Sequence, residues 1–249
     1  MIKLDSKLAL IIGGSGGIGI ETAKVLSNNG IKVCLTYLRS EDNARQKLKE
    51  NKIDILGFYK IDVKDEKNTN ELITSILSEY GKIDIVVYCV SGPLIYKKVQ
   101  DLSWKEFQEH IDVQVKGFFS LIKALWTQIQ ARQKTKFIVI LSDSCIGKPP
   151  AMLSHYVAAK YGLMGLVKSL ASELAGYNCT FNMVSPGMVK TGLLSDVPHK
   201  LIEMTASANP MKKIAEPSDV ASVINFLASE SSDYLNGVNI LVNGGSIFL

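Results

Sequence analysis

The sequence predicts an α/β fold: a doubly wound parallel sheet in a single domain. Three observations predict it. Short, wholly apolar runs bounded by turn residues recur along the chain, as in strands buried on both faces. Helical stretches alternate with them from end to end, the pattern of parallel strands joined by crossover helices. No linker, low-complexity segment or internal repeat divides the 249 residues, so one domain, 1–249, is expected.

The elements follow in order. Residues 8–12 are wholly apolar and read as a buried strand, and a glycine-rich loop, 13–19, comes at once after it. A helix is expected over 21–29, ended by Gly30, then a strand over 31–37. Residues 40–51 form a charged amphipathic helix with Ser40 as its N-cap. A third strand (54–61), a helix (64–80) and a fourth strand (83–89) follow. Ser103 opens the next helix and Glu106 completes a capping box; the helix and its continuation run to about Ala131. A strand over 137–141, a long helix over 155–175 and a strand over 180–184 precede a polar, irregular stretch, 187–217. A helix over 219–229 and a strand over 238–242 close the chain.

Composition excludes several classes. The chain is 47% hydrophobic with a net charge of +4, and its Lys and Arg are scattered, so nucleic acid is not an expected partner. No apolar run approaches the roughly 18 residues that span a bilayer, and the N-terminus lacks the pattern of a signal peptide. Cys34, Cys89, Cys145 and Cys179 are far apart and the three histidines are dispersed. These read as reduced thiols of a cytoplasmic protein with no metal site.

Two motifs carry chemistry. The loop Gly13-Gly14-Ser15-Gly16-Gly17-Ile18-Gly19 has five glycines in seven residues between a strand and a helix. Glycine permits close backbone approach to a pyrophosphate, and the helix N-terminus supplies free N–H groups and a positive dipole end. Further on, Tyr156 and Lys160 lie four apart on the long helix, one turn from each other on one face. A cation beside the phenol is expected to lower the tyrosine pKa from about 10, giving a proton donor and acceptor usable near neutral pH.

Gly13-x-x-x-Gly17-x-Gly19, Tyr156-x-x-x-Lys160 and Ser185-Pro186-Gly187, in this order over the whole chain, resemble the short-chain dehydrogenase/reductase family, most of all its 3-oxoacyl-acyl-carrier-protein reductase branch. The resemblance implies a Rossmann-type sheet, a nicotinamide cofactor, and a homotetramer or homodimer. It implies cofactor contacts at Gly13, Ser15, Gly17, Ile18 and Gly19, at Asp62 and Val63 beside the adenine, at Cys89 and Ser91, and at Tyr156 and Lys160. Pro186, Gly187, Val189 and Thr191 would flank the nicotinamide. At the end of the second strand no carboxylate stands at Tyr37 to take a ribose hydroxyl, whereas Arg39 and Ser40 suit a 2′-phosphate, so NADP is expected over NAD despite Gly16 and the nearby Glu41.

The implied catalytic set is Ser142, Tyr156, Lys160 and Gln114. Counting from the strand gives Ser142. Counting back from Tyr156 gives Asp143, and one extra residue near Pro149-Pro150 reconciles the two; Ser144 is the second choice. Two departures stand out: Tyr88-Cys89-Val90-Ser91 replaces the family's Asn-Asn-Ala-Gly, and Gln114 replaces an Asn that helps hold a relay water. Asn243 stands where the family has Asp, in a strand read as structural. The segment around 190–215 is the expected substrate lid. The implied activity is NADPH-dependent reduction of a ketone, a 3-oxoacyl thioester, small or carrier-bound. The alternatives are a sugar, polyol or secondary-metabolite ketone, a low-activity cofactor-binding scaffold, and an enoyl reductase using Tyr161 and Lys168.

Overall fold

A computed structural model describes residues 6–39, 41–195 and 197–248. The N-terminal pentapeptide and Ser40, with what was expected of them, lie outside the described residues. Seven parallel strands form one sheet in the order β3-β2-β1-β4-β5-β6-β7. They are β1 (Leu8–Ile12), β2 (Lys32–Tyr37), β3 (Gly57–Lys60), β4 (Ile85–Tyr88), β5 (Thr135–Ile140), β6 (Cys179–Pro186) and β7 (Asn239–Val242). Side chains alternate between faces along each strand. Thus Leu8, Leu10 and Ile12 enter one core, with Ile73, Phe118 and Leu163, while Ala9 and Ile11 enter the other, with Ala23, Leu26 and Ile224. Both faces are covered, which is why the strands read as continuous apolar runs.

The first core is capped by α3 (Glu66–Tyr80), α5 (Gly117–Ala124) and α7 (Ser154–Glu173), and the second by α1 (Gly17–Asn28), α2 (Glu41–Glu50) and α9 (Pro217–Ala228). Strand order reverses between β1 and β4, so a crevice opens at their carboxyl ends, the usual place for a ligand in such a sheet.

Three elements differ from expectation. Helix α1 begins at Gly17, inside the glycine loop, not at 21; Gly19 belongs to its first turn, where a Cβ would meet the Gly14 Cα at 2.6 Å. The expected helix over 103–131 is broken. It comprises α4 (Trp104–Ile111), a π-helical turn (Asp112–Lys116), α5 and α6 (Trp126–Gln130), although its start is as expected, with the reciprocal Ser103–Glu106 capping box present. The stretch taken as irregular contains α8 (His199–Ala208). No α8 side chain is buried. Among the described residues no helix is long and apolar enough to cross a membrane.

Candidate active site

The crevice is a cleft of about 1050 Å³ running from Arg39 to Tyr156. Its floor is the glycine loop. The Gly13 N–H donates to Thr36 Oγ1 at 3.0 Å, and a Cβ on Gly13, whose φ is +79°, would strike the Cys89 carbonyl oxygen at 2.8 Å. Gly17 faces Thr191, whose Cγ2 a Cβ would meet at 2.9 Å. The N-cap of α1 is Gly16, with no side chain to occupy the helix's first N–H groups. An elongated cleft over an uncapped, glycine-lined helix N-terminus fits a dinucleotide, its pyrophosphate on the loop.

At the adenosine end the wall holds Arg39, Asp62 and Val63 as expected. Sequence reasoning missed Asn43 and Lys47, which stand four apart on α2 and also line it. Their i, i+4 spacing beyond Arg39 was the available signal. Glu41 is occupied elsewhere: it accepts from the Tyr37 hydroxyl and pairs with Arg45 at 3.0 Å. These two partners hold its carboxyl below the usual range. Lys64 pairs with Glu109 at 2.9 Å.

At the other end Ser142, Tyr156 and Lys160 line the cleft together, with Cys89, Ser91, Pro186, Gly187, Val189 and Thr191 around them. Ser142 follows β5, Tyr156 and Lys160 sit in the first turns of α7, and the Pro186-Gly187 corner ends β6. Asp143, Tyr96, Lys148 and Ile247 line it too and were not called.

Three expectations need correction. Gly19 does not reach the cleft, because it packs on Gly14 one turn into α1. Gln114 does not line it either; it is fully buried behind it in the π-helical turn. Nor does Lys160 depress the Tyr156 phenol. The lysine ammonium donates to the Ile140 carbonyl at 2.8 Å and lies 5.8 Å from the Tyr156 ring centre. Burial pushes the Tyr156 pKa up, against the opposing Ser142 hydroxyl. Burial also draws Lys160 down to about 8. The phenol therefore keeps its proton at neutral pH, suited to a general acid. Tyr161 and Lys168 are exposed and outside the cleft wall, so the wider enoyl-type pair has no site here.

Behind Tyr156 lies His110, 1% exposed and drawn down to about 4, chiefly by burial and then by the nearby His155 and Lys160. His155 is also buried and shifted down by desolvation. A histidine depressed in the fold leaves the unfolded chain with more protons between about pH 4 and 6.5, so stability falls on acidification through that window. The expected loss from His110 is about 3 kcal/mol. Urea unfolding across the window should give a shallower pH dependence for His110→Phe than for the unaltered chain; parallel curves would show that His110 is not responsible.

Comparison with known proteins bears on this cleft. A family model described as enoyl-(acyl carrier protein) reductase matches residues 13–246. The chain is 31% identical over 244 residues to a 3-oxoacyl-acyl-carrier-protein reductase, FabG, of Staphylococcus epidermidis, covering 96% of this chain and 98% of that one. It is 32% identical over 253 residues to a 3alpha-hydroxysteroid dehydrogenase of Mediterraneibacter gnavus, covering 98% of each. The solved structure of ElxO with NADP bound aligns at a TM-score of 0.86 and 28% identity, over 97% of this chain and 98% of that one.

Proposed function

The chain belongs to the short-chain dehydrogenase/reductase family and is an NAD(P)-dependent oxidoreductase of C=O and CH–OH groups; from that premise we propose that it uses NADPH to reduce the ketone of a 3-oxoacyl thioester. The observation that carries this reading is the convergence of Ser142, Tyr156 and Lys160 on one end of a cleft whose other end holds Arg39 and Lys47.

In this reading the glycine loop and the α1 N-terminus bind the pyrophosphate, and Asp62 and Val63 flank the adenine. Arg39 and Lys47 take the 2′-phosphate, with Glu41 withdrawn into its bonds with Tyr37 and Arg45. When bound, the nicotinamide supplies the hydride to the carbonyl carbon. Ser142 donates a hydrogen bond to the ketone oxygen, stabilising negative charge as it develops. Tyr156 delivers its phenolic proton to that oxygen. Lys160, held by Ile140, supplies the buried cation beside the phenol and the hydrogen bonds to the ribose. Leu94, Tyr96, Leu153, Leu193 and Leu201 give the mouth an apolar wall for an acyl chain, and α8 within 190–215 acts as the lid. A cytoplasmic location and a homotetramer or homodimer complete the reading; Phe119, Trp126 and Tyr161 are large apolar side chains left exposed on the α5–α7 side.

The test is oxidation of NADPH and NADH at equal concentration with acetoacetyl thioesters. NADPH-selective turnover is expected, and Arg39→Ala should raise the KM for NADPH about 10- to 100-fold while changing that for NADH little. Equal use of both cofactors would remove Arg39 from this role.

A second reading, a hydroxylated ketone of the sugar or polyol kind, is favoured by Asp143. Its carboxyl lines the cleft next to Ser142, is pushed up by burial, and has no cationic partner among the described residues. Faster turnover of an α-hydroxyketone than of acetoacetyl thioester would select this reading.

A further inference from the structure

We propose that Tyr96 selects a 1,3-dicarbonyl substrate: with the ketone oxygen on Ser142 and Tyr156, the Tyr96 hydroxyl donates to the second carbonyl oxygen, that of the thioester. The inference deepens the 3-oxoacyl thioester reading and rests on it.

A 3-oxoacyl thioester has two carbonyl groups with one methylene between them, and both oxygens only accept hydrogen bonds. Ser142 and Tyr156 serve the ketone. Taking the second oxygen out of water without a donor costs about 1–3 kcal/mol. Other polar groups at this end of the cleft are engaged or badly placed. Ser91 donates to the Gly92 carbonyl at 3.0 Å, and Thr205 to the Leu201 carbonyl at 2.8 Å. Thr191 lies against Gly17, on the side of the glycine loop. Ser144 is bonded to Ser142, at the ketone itself. Asp143 as a carboxylate only accepts, and Lys148 is exposed. The Tyr96 hydroxyl differs from all of these. Tyr96 lines the cleft, and its half-buried ring packs on the cluster of Leu153, Tyr156 and Val157. Burial alone pushes its pKa up, with no hydrogen-bonding neighbour contributing among the described residues, so the phenol holds its proton and has it to give. A charge on it would oppose ionisation of Tyr156, which places the two phenols near each other, as two carbonyls one methylene apart require.

The chain holds Tyr96 from both sides. Upstream, the Pro93 carbonyl lies 3.1 Å from His110 Nε2; the carbonyl only accepts, so that nitrogen carries the ring proton and donates. Gly92 lets the backbone lie over the His110 ring, where a Cβ would come within 3.1 Å of it. Downstream, the Lys97 N–H donates to the Met152 carbonyl at 3.0 Å. The Lys97 ammonium pairs with Glu106, whose carboxyl also closes the Ser103 capping box at the start of α4. Tyr96 is thus carried on a segment tied to α4 and to the stretch before α7. A donor fixed before the substrate arrives loses little freedom on binding it.

The test compares the acetoacetyl thioester of N-acetylcysteamine with the thioether in which CH2 replaces the thioester carbonyl. Both are given to the unaltered chain and to Tyr96→Phe, which keeps the ring and its packing. Tyr96→Phe should raise KM for the thioester about tenfold and leave kcat and NADPH affinity within about twofold, because the lost bond is made alike in the ground and transition states. For the thioether the two proteins should agree within about twofold, in KM where it is reduced and in its inhibition constant against the thioester where it is not. Equal losses on the two compounds would reveal a packing role, and an unchanged thioester KM would show that the hydroxyl meets no carbonyl; either result overturns the proposal. An unaltered chain that does not reduce the thioester sinks the 3-oxoacyl reading and this inference with it. Thioester turnover joined to either of the two overturning results sinks this inference alone.

Discussion

Tyr156→Phe is expected to lower ketone reduction by about a thousand-fold or more while leaving NADPH binding within a few-fold. The substitution removes one oxygen from a ring that is otherwise packed against Leu94, Tyr96, Leu153 and Val157, so the cleft keeps its shape. What it removes is the acid. The phenol is buried and holds its proton firmly, and the nearby Asp143 carboxylate also opposes its ionisation. In the reduction direction this serves the reaction, because the developing alkoxide is a far stronger base than any phenolate and takes the proton as it forms. Lys160 is left in place in the variant with its Ile140 contact, so a loss of turnover cannot be assigned to a displaced cation. Steady-state turnover paired with a fluorescence titration of NADPH separates the two effects. Full turnover in the variant would remove Tyr156 from the reaction.

The sheet was legible because burial on both faces erases polar residues from the strands, and all seven strands were expected along the chain. Helix interiors were legible where an apolar stripe faces the sheet. The failures have distinct causes. One extra residue per turn in the π-helical stretch 112–116 shifts the side chains without changing the apolar composition, so a reading by helical period runs straight through it. Glycines mask a helix start, and α1 therefore begins earlier than its first strong helix former.

In the site, linear spacing brought Tyr156 and Lys160 to one face, as expected of residues four apart. It could not say which oxygen the lysine ammonium would choose; that depends on Ile140, on a strand twenty residues upstream. The same limit hid His110. Its ring reaches the Pro93 carbonyl, seventeen residues upstream, a contact that linear spacing does not announce. Tyr88 looked like an intrusion into a small-residue position, yet Gly117 makes the space for it. A departure read one residue at a time suggests a damaged site, whereas in the fold the Tyr88 hydroxyl has room over Gly117 and a partner in the Val113 carbonyl.

Ser142→Ala is expected to lower kcat about 100- to 1000-fold, and Ser144→Ala only a few-fold. Both hydroxyls stand at the end of β5, and they bond to each other: Ser142 Oγ donates to Ser144 Oγ at 3.0 Å and accepts from the Ser144 N–H at 3.2 Å. The backbone contact fixes the Ser142 oxygen. Its proton alone is free to turn from Ser144 to a ketone oxygen, which costs no movement of heavy atoms and so leaves the donor preorganised. Ser144→Ala removes the competing acceptor but keeps the N–H that anchors Ser142, hence the small effect. Ser142→Ala removes the donor itself, and it also strips from Tyr156 the one neighbour that favours phenolate, so the tyrosine pKa should rise further. The loss should fall on kcat more than on ketone KM, since the hydrogen bond strengthens as charge builds on the oxygen. The reverse order, a large loss in Ser144→Ala and a small one in Ser142→Ala, would transfer the role to the second serine and with it the register of the whole catalytic corner.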